Sequence, residues 1–485
     1  DPVMPIDPHH SRPLDVHRWS DHPEVNALVG EVWDEVFGEE EGVRPGPKPK
    51  ARPRDMLKVI LLDLYVAWTT DPDLSIGVNL NLKKWVPGSR YNALHLSRAV
   101  PDQIHRLAEA GLIELSMGSY SGPGASTNRT SRIRAAEPLR AKFREARFGR
   151  IDVGHNPDRE CIILRDEGGR EQEYEDTDAT REMREELRAY NDLLARTFID
   201  LPNVDDPFIE REVTTGPREG QRTKVPFFPG NKFVRRVFSR GDWGLNGRFY
   251  GGWWQQIGAE LRKKIHINGV PTVERDFKAL HINILSLERG VPLEDDPYDL
   301  TDGFLEGVDR RAQRKYLKTL VLTAINASNE GAAYQAFRDS YPAGDPAKRF
   351  RNDALQHLLE EFVRRTPQLE GELFADQGIR LMNVDARIAE GVIRGAAGLN
   401  LPVLSVHDSF IVDYRQAMLL TKLMKKASTH VAGRPLPTSA DWMGLDEVPE
   451  DRRDEYADVR RIEPTRGSIE RRTMFEDVVG PIEAA

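Results

Sequence analysis

The chain has 485 residues, of which 39% are hydrophobic and 30% are charged, and its formal net charge is −9. This length is sufficient for two or three domains with substantial hydrophobic cores. The single cysteine, Cys161, excludes an internal disulfide framework and a cysteine-based zinc finger, and it suits a reducing cytoplasm.

The first residues and the longest apolar stretch bear on localisation. The opening DPVMPIDPHH lacks the basic-then-apolar pattern of a signal peptide. The stretch VILLDLYVAW is too short to span a bilayer and contains Asp63. We therefore expect a soluble, cytoplasmic protein without a membrane partner.

The acidic net charge does not exclude nucleic acid, because the clustering of basic residues matters more than the sum. Basic residues cluster in RPGPKPKARPR (44–54), RKK (262–264) and RRAQRKYLK (310–318). Acidic runs occur at 31–41, at 166–178 and in the tail from Asp441. These acidic runs are expected to be solvated linkers.

The first fifty residues are rich in proline and charge, which predicts a flexible N-terminal segment over 1–50. An apolar helix is predicted from Asp55 to about Trp68. A second helix is predicted within LSRAVPDQIHRLAEAGL, where apolar residues recur at helical spacing and Gly111 ends the element.

A hairpin follows the second helix. The polar loop SYSGPGASTN leads into RTSRIRAAEPL, which alternates like a strand. Two helices and a hairpin over 51–145 resemble a winged-helix domain, in which Arg129, Arg132 and Arg134 would contact DNA phosphates. A winged helix that binds protein instead of DNA is the alternative.

A long helix is predicted from about Ala179 to Ile199. Its apolar stripe at helical spacing indicates packing in a core or against another helix. The stripe consists of Met183, Leu187, Tyr190 and Leu194.

The segment PTVERDFKALHINILSL, 271–287, combines a strand pattern with a helix pattern. Apolar and charged residues alternate through VERDF, and a helix is predicted to begin near Lys278. The strand therefore ends at Asp276, with Glu274 on the same face. An acid at this position is either an N-cap or part of a site.

The stretch LPVLSVHDSFIVDY, 401–414, predicts two apolar strands joined at His407 and Asp408. A tight turn tolerates aspartate for local hydrogen bonds. Apolar flanks, however, would bury the charge, which then needs a partner such as a divalent cation. Carboxylates from separate strands that meet at one sheet edge would form a two-metal clamp for phosphoryl transfer, and Mg²⁺ suits such a site.

A basic stripe lies on the helix predicted from RRAQRKYLKTLVLTAINASNEG, 310–331. Its members recur at i, i+3, i+4 and i+7 and are Arg311, Arg314, Lys315 and Lys318. Such a stripe would neutralise a triphosphate during phosphoryl transfer. A solvated basic face is the alternative.

Four segments together resemble the family A nucleic-acid polymerases, which include pol I-type DNA polymerases and single-subunit phage-type RNA polymerases. DFKALHINIL is similar to motif A, RKYLKTLVLTAIN to motif B and VHDSF to motif C, and the order is the same. GDWGLNGRFYGGWWQQI, 241–257, is similar to the GR segment upstream of motif A. The four segments span about 240 to 415.

The resemblance implies roles for the matched residues. Asp276 and Asp408 would be the metal-binding catalytic aspartates. Lys318 and Arg314 of motif B would hold the triphosphate, and Lys318 would also protonate the leaving pyrophosphate. Arg248 would contact template or primer. His407 would likewise lie near the primer end.

The chain departs from the family pattern at positions that choose the sugar. Asn326 stands where motif B has a tyrosine that stacks at the insertion site, and neither Tyr316 nor Tyr334 has the right spacing to replace it. His281 stands where the DNA-synthesising members have a glutamate that excludes the 2′-hydroxyl. Motif C has Ser409 after the aspartate, as in the RNA polymerases. The short spacing from GR to Asp276 and the bulk of His281 favour DNA synthesis.

Three acidic residues and a pair of tryptophans have no match in the family motifs. Glu274 is a candidate third acid, Asp385 in NVDARIAEGVI is a candidate cleft residue, and Asp413 is expected to be structural. Trp253 and Trp254 are expected either in the core or stacked on bases.

The resemblance implies an α/β (α+β) right-hand polymerase with an antiparallel palm sheet and helical fingers, preceded by the winged helix. The expected division is a linker and reduced thumb over 146–240, a palm and fingers core over 241–432, and a C-terminal tail over 433–485. The expected activity is template-directed nucleotidyl transfer with two Mg²⁺ ions, or Mn²⁺ in their place, by a monomer that binds nucleoside triphosphates and DNA template and primer or RNA.

Two alternatives to a DNA polymerase remain at this point. One is a DNA-dependent RNA polymerase or primase of the single-subunit type. The other is a winged-helix DNA-binding regulator whose polymerase-like part no longer catalyses, an alternative to which Asn326 adds weight.

Overall fold

The computed structural model describes residues 4–38, 51–123, 128–228, 230–444 and 446–482. The helices are α1 Pro23–Val36, α2 Pro53–Thr70, α3 Ala99–Glu109, α4 Glu137–Glu145, α5 Asp178–Ala195, α6 Ala259–Arg262, α7 Leu280–Glu288, α8 Arg310–Asn326, α9 Glu330–Asp339, α10 Asn352–Arg365, α11 Gly378–Gly398, α12 Ala417–Ala432, α13 Arg453–Arg460 and α14 Arg466–Val479. The strands are β1 Ser11–Pro13, β2 Arg18–Trp19, β3 Ser75–Val78, β4 Ile113–Ser116, β5 Ser131–Ala135, β6 Gly154–His155, β7 Ile162–Leu164, β8 Ile199–Asp200, β9 Phe208–Glu212, β10 Arg222–Pro226, β11 Val234–Ser239, β12 Asp242–Gly251, β13 His266–Ile267, β14 Val270–Phe277, β15 Leu404–Val406, β16 Ser409–Asp413 and β17 Thr438–Trp442.

The chain forms two compact units, each assembled from separate segments. Unit 1 comprises Asp1–Cys161, Val204–Asn231 and Pro464–Pro481, and unit 2 comprises Ile162–Asn203, Lys232–Glu463 and Ile482–Ala485. Both units combine helices with sheets, so the expected mixed α/β class is confirmed. Within the described residues, no helix is long and apolar enough to cross a membrane.

Unit 1 is built around the apolar helix α2, which is buried along most of its length. A four-stranded sheet in the order β1-β3-β5-β4 accompanies α2; β1 is parallel to β3, and the remaining pairs are antiparallel. The expected order of helix, helix and hairpin is present as α2, α3, β4 and β5. Residues 124–127 of the connecting loop lie outside the described residues, as do residues 39–50, which include the first part of the basic run 44–54.

The N-terminal segment differs from the expected flexible stretch. Residues 4–38 include β1, β2 and α1, and α1 buries Val25, Val29, Val32 and Trp33 along one side. The proline at its first position and the His22 side chain, which accepts a hydrogen bond from the Glu24 amide at 3.2 Å, define the start of the helix. The apolar face outweighs the high charge, because burial of such side chains stabilises a helix that its composition alone would not.

Unit 2 is organised around the strand β14. Its six-stranded sheet has the strand order β15-β16-β14-β13-β8, and the sixth strand, β17, also pairs with β14. The helix α5 lies in the same unit and buries Leu187, Tyr190 and Leu194, which confirms that the predicted stripe is a packing surface. The Tyr190 hydroxyl donates to the Val403 carbonyl at 2.5 Å, just before β15.

His266 on β13 makes the stability of the chain depend on pH. The side chain is buried, and desolvation lowers its pKa to about 4 from the usual 6.5, although a hydrogen bond to the Gly269 backbone opposes the shift. Between these two values the unfolded chain binds more protons than the folded chain, so stability falls as pH falls. We expect the free energy of unfolding to be about 2 kcal/mol lower at pH 5 than at pH 7 from this group.

Denaturant unfolding of the wild type and of His266→Leu at both pH values measures this contribution. The variant should lack the part of the pH dependence that His266 supplies. An identical pH dependence in both proteins would contradict the assignment.

Candidate active site

The register of β14 brings Asp276 and Asp408 to the same end of the sheet, where β14 ends and β16 begins. We call this end of the strands the sheet edge. Asp276 is paired with Ser409 on β16, and the Phe277 amide donates to the Asp408 carbonyl at 3.3 Å. Asp408 lies in the two-residue turn that joins β15 to β16, since Val406 and Ser409 are partners. The two aspartates are therefore neighbours, although 132 positions separate their numbers, 276 and 408, in the chain.

The turn itself has an unusual backbone. His407 has a φ of 60°, a left-handed conformation that histidine adopts more readily than most residues other than glycine. Its ring meets Tyr250 edge-on, with centroids 5.4 Å apart. Burial, and then the Arg248 charge, lower its pKa, so a neutral ring stands beside Asp408.

The two aspartates carry negative charge that their surroundings do not fully compensate. Burial raises the pKa of Asp276 to about 6; the Ser439 hydrogen bond opposes this shift, and repulsion from Asp441 and Asp408 adds to it. Burial also raises the pKa of Asp408, with Asp385 adding to the shift and Arg248 opposing it. A site of this kind favours a bound cation.

The donor set at this edge fits a hard divalent cation. Asp276 and Asp408 offer carboxylate oxygens, which Mg²⁺ prefers while it keeps water or phosphate in the rest of its shell. Across the residues that the structure describes, no group of three or more histidine, cysteine or acidic side chains is arranged to hold a metal. The protein's contribution at this edge is thus a pair of carboxylates, as Mg²⁺ accepts.

Asp385 on α11 joins two of the predicted site residues. Its side chain is fully buried and accepts from Arg248 Nε at 3.0 and 3.2 Å and from Arg248 Nη2 at 2.5 Å. His281, in the first turn of α7, lies with Nε2 at 2.7 Å from Asp385 Oδ2. Because a carboxylate only accepts, Nε2 of His281 must carry the proton. Asp385, a candidate cleft residue, therefore contacts both Arg248 and His281 and holds them together.

The C-terminal region contributes to the site, which sequence reasoning missed. In β17, Ser439 is the partner of Asp276, and its hydroxyl donates to Asp276 Oδ1 at 2.5 Å. The register shifts between Glu274 and Arg275, so that Asp441 is the extra residue of a β-bulge. The signal in the sequence is weak: TSADW is a short polar segment ending in one residue, Trp442, that is buried.

Glu274 is already paired with Arg262, so its interpretation as a third metal-binding acid is wrong. It is buried and receives both Arg262 Nε and Arg262 Nη2 at 3.0 Å. It also accepts from the Ser409 hydroxyl at 2.9 Å. Asp413 is structural as expected, because it accepts from the amide and the guanidinium of Arg415.

The basic stripe of α8 is exposed, and one of its two triphosphate candidates is already paired. Arg314 Nε lies 2.5 Å from Asp296 Oδ2, so its charge is partly neutralised by a carboxylate, although the guanidinium has further donors. Lys318 is exposed, and no ion pair involves it within the described part of the chain. Asn326 at the end of α8 packs against Gly378, where an added Cβ would overlap its side chain.

The aromatic residues considered for base stacking belong to cores. Trp253 and Trp254 are fully buried, and Trp254 Nε1 donates to the Ser405 carbonyl at 3.0 Å. Tyr316 on α8 contacts Phe350 edge-on, with centroids 5.1 Å apart. Tyr334 is buried on α9, and its hydroxyl donates to Glu330 at 2.5 Å. Of the two alternatives for these tryptophans, the core position is therefore confirmed and the prediction that they stack on bases is wrong.

The arginines of the predicted wing differ in accessibility. Arg129 is exposed, and Arg132 is half-buried with Nη1 donating to the Thr130 carbonyl. Arg134 is buried and pairs with Glu114 at 2.7 Å, so the expectation that it contacts phosphates is wrong. Arg132 and Arg134 lie two positions apart on β5 and therefore share a face, so the difference comes from the Glu114 carboxylate that pairs with Arg134.

No protein-family model matches the chain, and no curated protein matches it. Among solved structures, the chain is similar to the POL domain of Pol1 from M. smegmatis, determined in complex with DNA primer-template and dNTP. The sequence identity is 11%, the TM-score is 0.24, and the similarity covers 44% of this chain and 47% of that chain. A TM-score this low decides neither fold nor function, so the geometry of the site must carry the functional conclusion.

Proposed function

We propose that the protein is a template-directed nucleotidyltransferase that adds nucleoside triphosphates to a 3′-hydroxyl, with DNA as the favoured product. The observation that carries this proposal is the meeting of Asp276 and Asp408 at one sheet edge, with the Phe277 amide bonded to the Asp408 carbonyl. Their raised pKa values support a role in binding cations, because a bound divalent ion would offset the cost of burying the two carboxylate charges.

Asp276 and Asp408 would hold Mg²⁺, or Mn²⁺ in its place. When bound there, the metal supplies activation of the attacking oxygen and stabilisation of the leaving oxygen. The 3′-hydroxyl loses its proton to solvent, and its oxygen forms a bond to the α-phosphorus of the incoming nucleotide. The bond from that phosphorus to the bridging oxygen breaks, so that pyrophosphate leaves. Ser439 keeps the Asp276 carboxylate in one orientation throughout.

The residues around the aspartates would position substrates. Arg248 is held by Asp385 and would contact template or primer, and His407 in the adjoining turn would lie near the primer end. His281, oriented by Asp385, would restrict the sugar of the incoming nucleotide. The exposed position of Lys318 suits contact with the triphosphate and proton donation to pyrophosphate.

Two other residues of α8 enter the proposal with altered roles. Arg314 would bind the outer phosphates through donors other than the Nε that contacts Asp296. Asn326, packed at the start of α11, would bear on the nucleotide site only through the position of that helix.

The domain roles are proposed on the same basis. The sheet around β14 and helices α8 to α10 would form palm and fingers, and the helices and hairpin within 51–145 would form a winged helix that binds nucleic acid through Arg129 and Arg132. The segment 433–485 is then not a separate tail, since it adds β17 to the palm sheet.

The decisive experiment compares incorporation of labelled dNTPs and NTPs on primed and unprimed templates with Mg²⁺. Extension of a primed DNA template with dNTPs is expected. Incorporation of ribonucleotides alone without primer would replace DNA polymerase by RNA polymerase or primase. No incorporation under any of these conditions would overturn nucleotidyl transfer.

Replacing Ser439 by alanine should lower incorporation by about tenfold, because Asp276 loses the hydrogen bond that orients it. The effect should fall on kcat, with little change in KM for the nucleotide. Thr438→Ser, a conservative change at the neighbouring position of β17, serves as the control and should retain wild-type kinetics. A Ser439→Ala enzyme with unchanged kcat would remove Ser439 from the proposal.

A further inference from the structure

A cavity of about 280 Å³ lies within unit 1. Its volume is at the lower end of the range for small-molecule sites, roughly 300 to 1,000 Å³. Three separate segments of the chain supply its apolar walls, namely Ile151, Pro207, Phe208, Pro226, Phe228 and Met474. A space of this size with such walls suits a small organic body.

Arg150 adds a positively charged side chain to the otherwise apolar part of the cavity lining. Its Nη1 donates to the Val153 carbonyl at 3.1 Å. Among the described residues, no carboxylate lies within ion-pair distance of its guanidinium. Burial, and then repulsion from Arg18 and Arg12, lower its pKa to about 9, so it stays charged at neutral pH in a place that disfavours the charge.

Asp63 is the buried carboxylate whose charge acts on Arg150, and it is already paired with two other arginines. Asp63 receives Arg12 Nη1 and Arg12 Nη2, both at 2.8 Å, and Arg18 Nε at 3.0 Å. With two guanidinium groups on one carboxylate, Asp63 has no capacity left to neutralise a third.

The other charged residues of the lining are engaged with partners in unit 1. The Asp205 carboxylate accepts from the Gly467 amide at 2.7 Å, and Glu470 pairs with Arg466 at 2.9 Å. Arg471 donates to the Asp205 carbonyl at 2.7 Å. These contacts distinguish them from Arg150, which retains hydrogen-bond donors for a ligand.

We propose that this cavity binds a small organic anion, an aromatic or alicyclic body with one carboxylate or phosphate group that pairs with Arg150. The planar guanidinium matches either anionic group in a two-point contact. The rings of Phe208 and Phe228 provide surfaces against which a flat body packs. This site is independent of the proposed nucleotidyl transfer, because every residue in it belongs to unit 1 and both catalytic aspartates belong to unit 2.

Fluorescence titration of the full chain tests the proposal with three probes of the same ring system. These probes are 1-naphthoate, 1-naphthyl phosphate and the neutral 1-naphthalenemethanol. At least one of the two anions should bind saturably and about tenfold or more tighter than the alcohol. The tighter anion identifies which of the two groups the site prefers. Equal binding of all three probes, or no saturable binding, would overturn the proposal.

Variants locate the binding. Arg150→Met should weaken the anion about tenfold and leave the alcohol unchanged, whereas Arg147→Met, an exposed arginine outside the lining, should change neither. Met474→Trp fills the cavity and should weaken all three probes. An anion that binds Arg150→Met as tightly as the wild type, or Met474→Trp as tightly as the wild type, would show that this cavity is not the site.

Discussion

Replacing Asp408 with asparagine is expected to lower nucleotide incorporation by about a thousandfold or more without loss of folding. A divalent cation contributes several kcal/mol to the stabilisation of the transition state, and each 1.36 kcal/mol is a factor of about ten in rate. The folded state should be as stable as the wild type or more stable, because burial and the Asp385 charge make the Asp408 carboxylate unfavourable where it stands. Asp276→Asn should behave in the same way.

The matched control is Asp413→Asn, at the end of the strand β16 that follows the turn. Asp413 is bonded to Arg415 and has no assigned role in catalysis, so incorporation should stay within about threefold of the wild type. Incorporation is measured with labelled nucleotides, DNA binding by a shift assay, and stability by denaturant unfolding. Wild-type incorporation in Asp408→Asn would remove Asp408 from the proposed mechanism. Retained DNA binding without incorporation by either the variant or the wild type would instead favour a non-catalytic DNA-binding protein.

Replacing Asp385 with alanine is expected to lower the free energy of unfolding by about 3 kcal/mol or more. The variant leaves the Arg248 guanidinium largely buried and without the carboxylate that it contacts at 2.5 Å. Removing one partner of a buried ion pair costs about 3 to 5 kcal/mol, because the remaining charge stays desolvated. Incorporation should also fall, since Arg248 and His281 both lose the group that orients them.

A double variant and a surface control separate these effects. Asp385→Leu combined with Arg248→Met should recover much of the stability but not the incorporation, because no charge is then left unpaired. Glu361→Ala, which breaks an exposed pair with Arg364, should change stability little. If Asp385→Ala were no less stable than Glu361→Ala, Asp385 and Arg248 would not form the buried ion pair that their contacts indicate.

The elements that carry the candidate site were largely predictable. The alternation in VERDF predicted a strand ending near Asp276, and β14 runs to Phe277. The apolar segments around His407 predicted the β15–β16 hairpin, and RRAQRKYLKTLVLTAIN predicted α8. These patterns are local, because each depends on the spacing of apolar residues within one element.

The second half of the site was not predictable in this way. Ser439 and Asp441 reach Asp276 only because β17 pairs with β14 across 163 positions of sequence. Glu274, on the face expected to bind metal, is neutralised by Arg262 from a neighbouring segment. Pairing between distant strands depends on the total packing of the sheet, and a short polar segment carries little information about it.

The sequence by itself determined which residues can do chemistry and on which elements they lie: Asp276 at a strand end, Asp408 in a turn and a cationic stripe on a helix. The tertiary structure alone decided which of them meet and which are already paired. Spacing along the chain sets the face of a helix or strand, whereas burial and ion pairing arise from contacts between segments far apart in sequence. For that reason the charges of Asp276 and Asp408 are only partly compensated, while Glu274, Arg134 and Arg314 have partners of opposite charge.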